Sequence, residues 1–256
     1  MADNKPMEIE TSRDGGVLAI GFNRPQKKNA FTSDMYVALE AALREGERDD
    51  TVRAILFHGQ PGVFTAGNDL EDFMKRPPQG MDSPVFRFLE AAKPLVAAVN
   101  GPAVGIGTTL LLHCDLVYAG DDARFRLPFA SLGLVPEFAS SYLLPMVAGY
   151  QRAAELLLLG EPFDAQAAYA AGFVTKVVPA AQALDAAREA ARKVAALPVK
   201  SVRLTKALLK GAHRDAVRNQ LQVEAGHFRA MLGEPAAREA LSAFLEKRAP
   251  DFSKIS

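Results

Sequence analysis

The sequence contains a single cysteine, Cys114, which excludes a framework of intramolecular disulfides. Because Cys114 lies in an apolar run, we interpret it as a small buried hydrophobe rather than a reactive thiol. The 30 basic residues balance 30 acidic ones, so no net charge steers the protein toward nucleic acid or an anionic membrane. No apolar stretch reaches the ~20 residues that a membrane-spanning helix needs. We therefore expect no nucleic-acid partner and no membrane, and a reducing compartment.

Neither end of the sequence carries a recognisable targeting signal. The segment 1–10 contains three acidic residues and no apolar core, so it does not have the pattern of a secretory signal peptide. The last four residues, 253–256, differ from the peroxisomal Ser-Lys-Leu signal. These patterns predict a cytoplasmic protein of bacterial type.

The first half of the chain alternates β-rich runs with helical patterns. Hydrophobic residues make up 49% of the sequence, enough to bury a substantial core. After Thr32 or Ser33, either of which can cap a helix, apolar residues recur with a 3.6-residue period. The predicted strands are nearly continuous apolar runs, as expected for a sheet covered on both faces. They are 17–22, 52–57, 95–99 and 116–119.

From Gln151 onward the pattern is helical almost throughout, with one more short strand at 173–178. The predicted helices are 151–159, 165–171, 181–196, 199–210, 215–232 and 234–247. Several carry apolar stripes wider than one covering layer needs, which is typical of helices that pack against another subunit. We predict an α/β core over residues 1–197 and a helical C-terminal region over 198–256.

Two small-residue segments are candidates for ligand binding. Phe64–Leu70 is a turn directly after a buried strand, although a plain strand-to-helix loop would have the same composition. The segment 100–107, Asn-Gly-Pro-Ala-Val-Gly-Ile-Gly, leads from a strand into an apolar helix. Its glycines would let backbone N–H groups approach a ligand at a helix N-terminus, although a tight packing loop is equally consistent. It lacks the lysine of a P-loop and the third glycine of a dinucleotide fingerprint, so neither nucleotide motif is present.

The third candidate segment, 132–141, places one carboxylate, Glu137, among Leu134, Val135, Phe138 and Ala139. A lone glutamate is costly to bury as an anion. It therefore either reaches solvent or has a raised pKa and serves as an acid or base.

The other reactive residues are weaker candidates for catalysis or metal binding. His113, Cys114 and Asp115 are neighbours in sequence, so we expect that they do not form a catalytic triad. The histidines at 58, 213 and 227 show no metal-ligand spacing, so we predict no metal site. Ser140 and Ser141 lack a nucleophile-elbow motif. The lysines at 200, 206 and 210 are most simply a solvated helix face.

Taken together and in order, the three segments resemble the crotonase (enoyl-CoA hydratase/isomerase) superfamily. The resemblance covers essentially the whole chain and includes further motifs. These are Asn23-Arg24-Pro25, Lys28-Asn29-Ala30, Lys93-Pro94, Cys114-Asp115, Gly160-Glu161-Pro162-Phe163 and Ala171-Gly172-Phe173-Val174.

The resemblance implies a spiral of ββα units followed by helices that mediate trimer formation, giving a homotrimer or a hexamer. It also implies an acyl-CoA thioester substrate whose carbonyl oxygen binds two backbone N–H groups, those of Asn68 and Ile106. Residues matching the family's substrate contacts are Lys28, Ala30, Ala66, Gly67, Asn68, Asp69, Leu70, Ile106 and Gly107. Some late lysines could alternatively meet CoA phosphates. The acyl pocket would be walled by loops around 73–88.

The reaction implied by the resemblance depends on side chains. The two glutamates of typical hydratases are missing, because Thr109 and Phe129, after Pro128, stand at those positions. Glu137 resembles in placement the single catalytic glutamate of peroxisomal-type Δ3,Δ2-enoyl-CoA isomerases, which need no cofactor. We therefore expect an isomerase in which Glu137 moves the proton. The alternatives are hydration by Glu137 alone, another crotonase-type lyase or hydrolase, or an acyl-CoA-binding protein without activity.

Overall fold

The computed structural model describes residues 7–75, 84–253 and 255. Residues 76–83, within the segment expected to wall the acyl pocket, lie outside the described residues. The same is true of 1–6, 254 and 256, which belong to the two terminal segments whose patterns differ from the targeting signals. The expectations for these positions stay predictions.

A six-stranded sheet forms the centre of the protein, in the order β1-β2-β3-β4-β6-β9. Strands β1 and β2 pair antiparallel, and every other neighbouring pair is parallel. Strands β2 and β4 are buried at every position because helices cover both faces of the sheet. The strands are Ile9–Asp14 (β1), Val17–Phe22 (β2), Ala54–His58 (β3), Leu95–Val99 (β4), Leu116–Gly120 (β6) and Lys176–Val178 (β9).

A second, three-stranded sheet lies beside the first and supports the glycine-rich loop. It consists of β5 (Pro102–Val104), β7 (Arg124–Arg126) and β8 (Phe163–Asp164). Thr65 forms a parallel bridge with Ala103, so the turn that follows β3 pairs with β5. This pairing places the two small-residue loops side by side.

Most of the predicted helices are present, and the structure adds three that were not predicted, α2, α3 and α5. Thr32 caps α1, its hydroxyl accepting the Met35 N–H at 3.2 Å, and α8 covers one sheet face with small residues such as Ala187 and Ala191. The helices are Ser33–Arg48 (α1), Leu70–Lys75 (α2), Pro84–Glu90 (α3), Ile106–Thr109 (α4), Ser140–Ala148 (α5), Tyr150–Ala154 (α6), Ala165–Ala170 (α7), Ala183–Ala195 (α8), Val199–Gly211 (α9), Arg214–Met231 (α10) and Pro235–Leu245 (α11). Shorter turns are the 3₁₀-helices Pro25–Lys27, Leu110–His113, Ala130–Leu132 and Ala180–Gln182, and the π-helical Glu155–Leu159. In the described part of the chain, no helix combines the length and the apolarity that crossing a bilayer requires.

Some elements differ from the sequence-based expectation. Strand β1 was not predicted, because only its first residue, Ile9, is buried and the rest of the strand is polar and exposed. The strand expected at 173–178 is paired only at Lys176–Val178. Helix α5 was also not predicted; it contains Pro145 and begins after residues with positive φ, two features that usually mark a break in a helix.

The prediction that the lysines of α9 form a solvated face is wrong. Lys206 is only 7% exposed, and its Nζ lies 2.7 Å from Oδ2 of Asp115. Lys210 is partly buried, with its Nζ 3.5 Å from the other oxygen of the same carboxylate. Only Lys200 is exposed as expected. Because the ammonium group of Lys206 is occupied by Asp115, this lysine anchors α9 to the core and is not free to meet a phosphate.

Candidate functional site

One large cavity, of about 630 Å³, lies where the two small-residue loops meet the C-terminal helices. Its lining is mostly apolar, with some polar and charged side chains. The loop residues that line it are Lys28, Ala30, Ala66, Gly67, Asn68, Asp69, Leu70, Val104, Gly105 and Ile106. Farther along the chain, Phe129, Leu134, Glu137, Phe228, Phe244 and Arg248 also border it.

The first loop is held in place by Asn29 and Thr65. Asn29 is fully buried and donates from Nδ2 to the Phe64 carbonyl at 3.1 Å. Thr65 donates from Oγ1 to the Asn29 carbonyl at 2.7 Å and accepts the Gly67 N–H at 3.1 Å. These bonds join the early motif that contains Asn29 and Ala30 to the later turn formed by Thr65, Ala66 and Gly67. They fix the backbone of Gly67, whose φ of 91° is in the range that favours glycine.

The second loop meets the first through the backbone. The Val104 N–H donates to the Thr65 carbonyl at 3.1 Å. Gly105, with φ 54°, then turns the chain into α4, whose first residue is Ile106. Within the described residues, the N–H groups of Asn68 and Ile106 have no hydrogen-bond acceptor. Both residues border the cavity, so two free backbone donors are available where the resemblance implies them.

Gly107 lies outside the cavity lining, unlike the other residues that the resemblance assigns to the substrate. A Cβ at this position would come within 2.5 Å of Cγ2 of Thr65. Its lack of a side chain therefore allows α4 to pack against the first loop. Gly107 contributes to the site by this close approach.

Asp69 lines the cavity, but its side chain is used to hold the loop. Its Oδ2 lies 2.8 Å from Nη1 of Arg24, and its Oδ1 accepts the Asp72 N–H at the start of α2. Burial alone would raise the pKa of Asp69, but the hydrogen bonds and the charge of Arg24 outweigh it and lower the pKa. Asp69 therefore stays ionised and is poorly suited to take up a proton.

Glu137 is a partly buried carboxylate on the cavity wall. Its Oε1 accepts a hydrogen bond from Oγ1 of Thr109 at 2.6 Å. Burial raises the pKa of Glu137 to about 7, with a further contribution from the charge of Glu224, while the bond from Thr109 opposes the rise. A carboxyl group with such a pKa can both accept and return a proton near neutral pH. The expectation of a raised pKa for Glu137 agrees with this environment.

Two residues near the site were missed from the sequence. Tyr36 donates from its hydroxyl to Oδ1 of Asn68 at 2.6 Å, and burial, together with the charge of Glu137, raises the pKa of Tyr36 well above its usual value. Nothing in the sequence indicates this partner. Glu224 is buried in α10, where it follows Val217 and Leu221 on the apolar stripe. That position was the signal that could have identified Glu224.

The residues His113, Cys114 and Asp115 do not form a catalytic triad. His113 is buried and donates from Nε2 to the Phe138 carbonyl at 2.8 Å, and burial lowers its pKa to about 3. Burial also raises the pKa of Cys114 to about 12, so this thiol is not a ready nucleophile. Asp115 is bound to Lys206, as described above.

The raised pKa of Glu137 predicts a pH-dependent stability effect. Because the folded pKa of about 7 lies above the ordinary value of 4.5, the folded protein holds a proton that the unfolded chain releases between these pH values. Stability is therefore lost as pH rises through that window. Glu137→Gln removes this loss, and should raise the free energy of unfolding at pH 8 by roughly 3 kcal/mol. At pH 4 the two proteins should be nearly equal. Urea unfolding at both pH values tests this, and an equal difference at both would contradict it.

Comparison with known proteins places these features in a family. The family model described as "Enoyl-CoA hydratase/isomerase" matches residues 12–254. The chain is 36% identical to 1,2-epoxyphenylacetyl-CoA isomerase of Escherichia coli K12, over 93% of this chain and 95% of the relative. It is 37% identical to enoyl-CoA delta isomerase 2 of Rattus norvegicus, over 96% of this chain and 66% of that longer relative. A crystal structure of an enoyl-CoA hydratase/isomerase from Pseudoalteromonas atlantica T6c superposes with a TM-score of 0.91. It is 41% identical, and the match covers 96% of this chain and 100% of that one.

The chain is also similar to a relative that is named for a different reaction. The chain is 33% identical to 2,3-dehydroadipyl-CoA hydratase of Escherichia coli K12, over 96% of this chain and 98% of the relative. These matches confirm the crotonase fold class with its helical C-terminal region. The relatives' names differ in the reaction, so the reaction has to be argued from the side chains of the cavity.

Proposed function

Since this chain belongs to the enoyl-CoA hydratase/isomerase family, we propose that it moves the double bond of a 3-enoyl-CoA thioester to the trans-2 position. The observation that supports this reaction is Glu137 and its setting on the cavity wall. Among the residues that the structure describes, the other carboxylates lining the cavity are Asp69, which pairs with Arg24, and Glu71, which is exposed on α2. Glu137 is thus the cavity carboxylate with a raised pKa.

The proposed reaction begins with removal of a proton from C2 of the substrate by Glu137. The electrons pass through the thioester carbonyl to give a dienolate, whose oxygen accepts the N–H groups of Asn68 and Ile106. Such donors stabilise a developing oxyanion by about 3–4 kcal/mol each. The protonated Glu137 then returns the proton to C4, and the double bond is left between C2 and C3. We propose that this shuttle uses no metal and no redox cofactor.

The rim of the cavity is suited to a coenzyme A thioester. Lys27 and Lys28 are exposed at the mouth, where phosphate groups could reach them. Apolar side chains, among them Phe129 and Leu134, line the interior and are suited to an acyl chain. Leu204, Leu208 and Leu209 on α9 are 55–75% exposed. Their exposure supports the further proposal that the protein forms a trimer, or a hexamer made of two trimers.

Hydration is the second candidate, because one relative is named a hydratase. Water addition in the family typically employs two glutamates, and here their positions hold Thr109 and Phe129. Thr109 uses its hydroxyl to bind Glu137, and Phe129 is a buried apolar side chain. The two side chains cannot hold and activate a water as two carboxylates would, which favours the isomerase.

Product analysis tests the proposed function. We expect the purified protein to convert trans-3-hexenoyl-CoA to the 2-enoyl-CoA, and to hydrate crotonyl-CoA slowly or not at all. With deuterium at C2 of the 3-enoyl substrate, part of the label should appear at C4, because one carboxyl group serves both carbons. A 3-hydroxyacyl product formed from crotonyl-CoA, without isomerisation of the 3-enoyl substrate, would show that the protein is a hydratase instead.

A further inference from the structure

The backbone that follows Glu137 has an unusual conformation. Phe138 and Ala139 have φ of 62° and 56°, in the left-handed region that non-glycine residues seldom occupy. Ala139 is also the residue before α5, and no side chain of that turn caps the helix. A strained turn of this kind persists only where its surroundings hold it. The Ser140 N–H donates to the Glu137 carbonyl across the turn at 3.1 Å, and further support comes from other parts of the chain.

The support on the N–H side is Glu224, on α10. Glu224 is only 4% exposed. Its Oε2 accepts the Ala139 N–H at 2.6 Å, and its Oε1 accepts the Ser141 N–H at 2.9 Å as well as the Ser141 hydroxyl. The carboxylate therefore caps α5 from a helix 85 residues farther along the chain. A negative charge at a helix N-terminus is favourable. The three hydrogen bonds from Ala139 and Ser141 oppose the effect of burial, but burial is larger and raises the pKa of Glu224.

We propose that Glu224 is a positioning residue for the isomerisation. By holding the left-handed turn, it fixes where the carboxyl group of Glu137 stands against the substrate and the hydroxyl of Thr109. The inference rests on the proposed function, because it takes Glu137 as the group that moves the proton. Glu224 itself does not border the cavity, so it acts through Glu137.

The carbonyl side of the same turn is held by His113. Its Nε2 donates to the Phe138 carbonyl at 2.8 Å, and its ring stacks on that of Phe138, with the centroids 4.1 Å apart. Burial keeps His113 neutral near pH 7, because its pKa is lowered to about 3. His113 therefore holds the turn without influencing Glu137 by charge.

Glu224 has an electrostatic effect as well as a mechanical one. After burial, which is the largest cause, the charge of Glu224 contributes to the raised pKa of Glu137. Tyr36, whose pKa is raised well above its usual value by burial and by the charge of Glu137, is also linked to Glu137, and His113 beside the turn is neutral. Arg126 and Arg248 border the same cavity as Glu137. Glu224 is thus a charged group that contributes to the raised pKa of Glu137, and its mechanical and electrostatic effects can be separated by substitution.

Two substitutions of Glu224 separate position from charge. Glu224→Gln keeps the size but replaces one acceptor by a donor and removes the charge. We expect its kcat to fall by about 10²-fold with little change in KM, and the acid limb of kcat/KM to move to lower pH. Glu224→Asp keeps the charge but is one methylene shorter. We expect its kcat to fall as well, with the acid limb unmoved.

Leu221→Ala is the matched control, since Leu221 is buried on the same helix, one turn earlier. It should lower the melting temperature without changing the pH profile. If Glu224→Gln loses no more activity than Leu221→Ala, or if its acid limb stays in place, the proposed role of Glu224 is overturned. If Glu224→Gln does not fold, Glu224→Asp tests the role instead. A wild-type kcat in Glu224→Asp would overturn the proposed role of Glu224.

A titration without substrate keeps this inference separable from the proposed function. With ¹³C in the glutamate side chains, the Glu137 carboxyl resonance, assigned by its loss in Glu137→Gln, should titrate near pH 7 in the wild-type protein. Its midpoint should be lower in Glu224→Gln. An unmoved midpoint would overturn the role of Glu224, whatever the reaction. Absence of isomerisation by the wild-type protein would instead overturn the proposed function, and would leave the result of the titration standing.

Discussion

Replacing Glu137 by glutamine is expected to lower kcat for the isomerisation of a 3-enoyl-CoA by about 10²–10⁴-fold, the usual contribution of a general acid–base. Glutamine matches glutamate in size and can still accept the bond from Thr109, so KM should change little. The loss therefore reports proton transfer rather than binding. Stopped-flow or steady-state assays on trans-3-hexenoyl-CoA would measure it. An exposed glutamate away from the cavity, Glu161, supplies the control variant Glu161→Gln, which should keep full activity.

The pH dependence of kcat/KM is a second, independent test of Glu137 as the catalytic base. Because the base must be ionised in the free enzyme, kcat/KM should rise with pH through the pKa of Glu137, at about 7. Glu137→Asp keeps a carboxylate but places it one methylene farther from the substrate, so it should keep an acid limb at a lower rate. Full activity in Glu137→Gln, or a profile that is flat between pH 5 and 9, would exclude Glu137 as the base.

Substituting Gly67 by alanine is expected to lower kcat by about 10²–10³-fold, comparable to the loss of one oxyanion donor. Gly67 has φ 91°, and a Cβ there would come within 2.8 Å of the Val104 carbonyl oxygen. The two loops would have to move apart to relieve this contact. Because Asn68 follows Gly67, and Ile106 lies two residues after Val104, that movement would separate the two free N–H groups. Steady-state kinetics on the 3-enoyl-CoA measure the loss.

Gly62 provides a matched control for the backbone strain alone. Its φ is 79°, close to that of Gly67, but a Cβ at Gly62 would meet no atom of the described residues within 4 Å. Gly62→Ala should therefore lower the melting temperature while keeping kcat near the wild-type value. An equal loss of kcat in the two variants would mean that general destabilisation, rather than the separation of the loops, causes the effect in Gly67→Ala.

Much of the fold could be predicted because the sequence reports burial along each element. Strands β2 and β4 begin and end where their apolar runs do, and Thr32 caps α1 through an ordinary local bond. The same reasoning isolated Glu137, since a carboxylate among apolar neighbours is conspicuous in sequence. It failed for β1, a polar edge strand whose only buried residue is Ile9, because an edge strand is defined by its partner rather than by its own composition.

The sequence by itself determined the α/β class, the two small-residue loops and the position of a carboxylate, Glu137, among apolar neighbours, because a local sequence pattern indicates each of these. Only the tertiary structure decided that Lys206 is buried against Asp115, that Tyr36 binds Asn68 and that Glu224 holds the turn after Glu137. The physical reason is that these bonds join residues between 32 and 91 positions apart. Periodicity along one helix can show that a side chain points inward, but the group it meets there depends on how the elements pack.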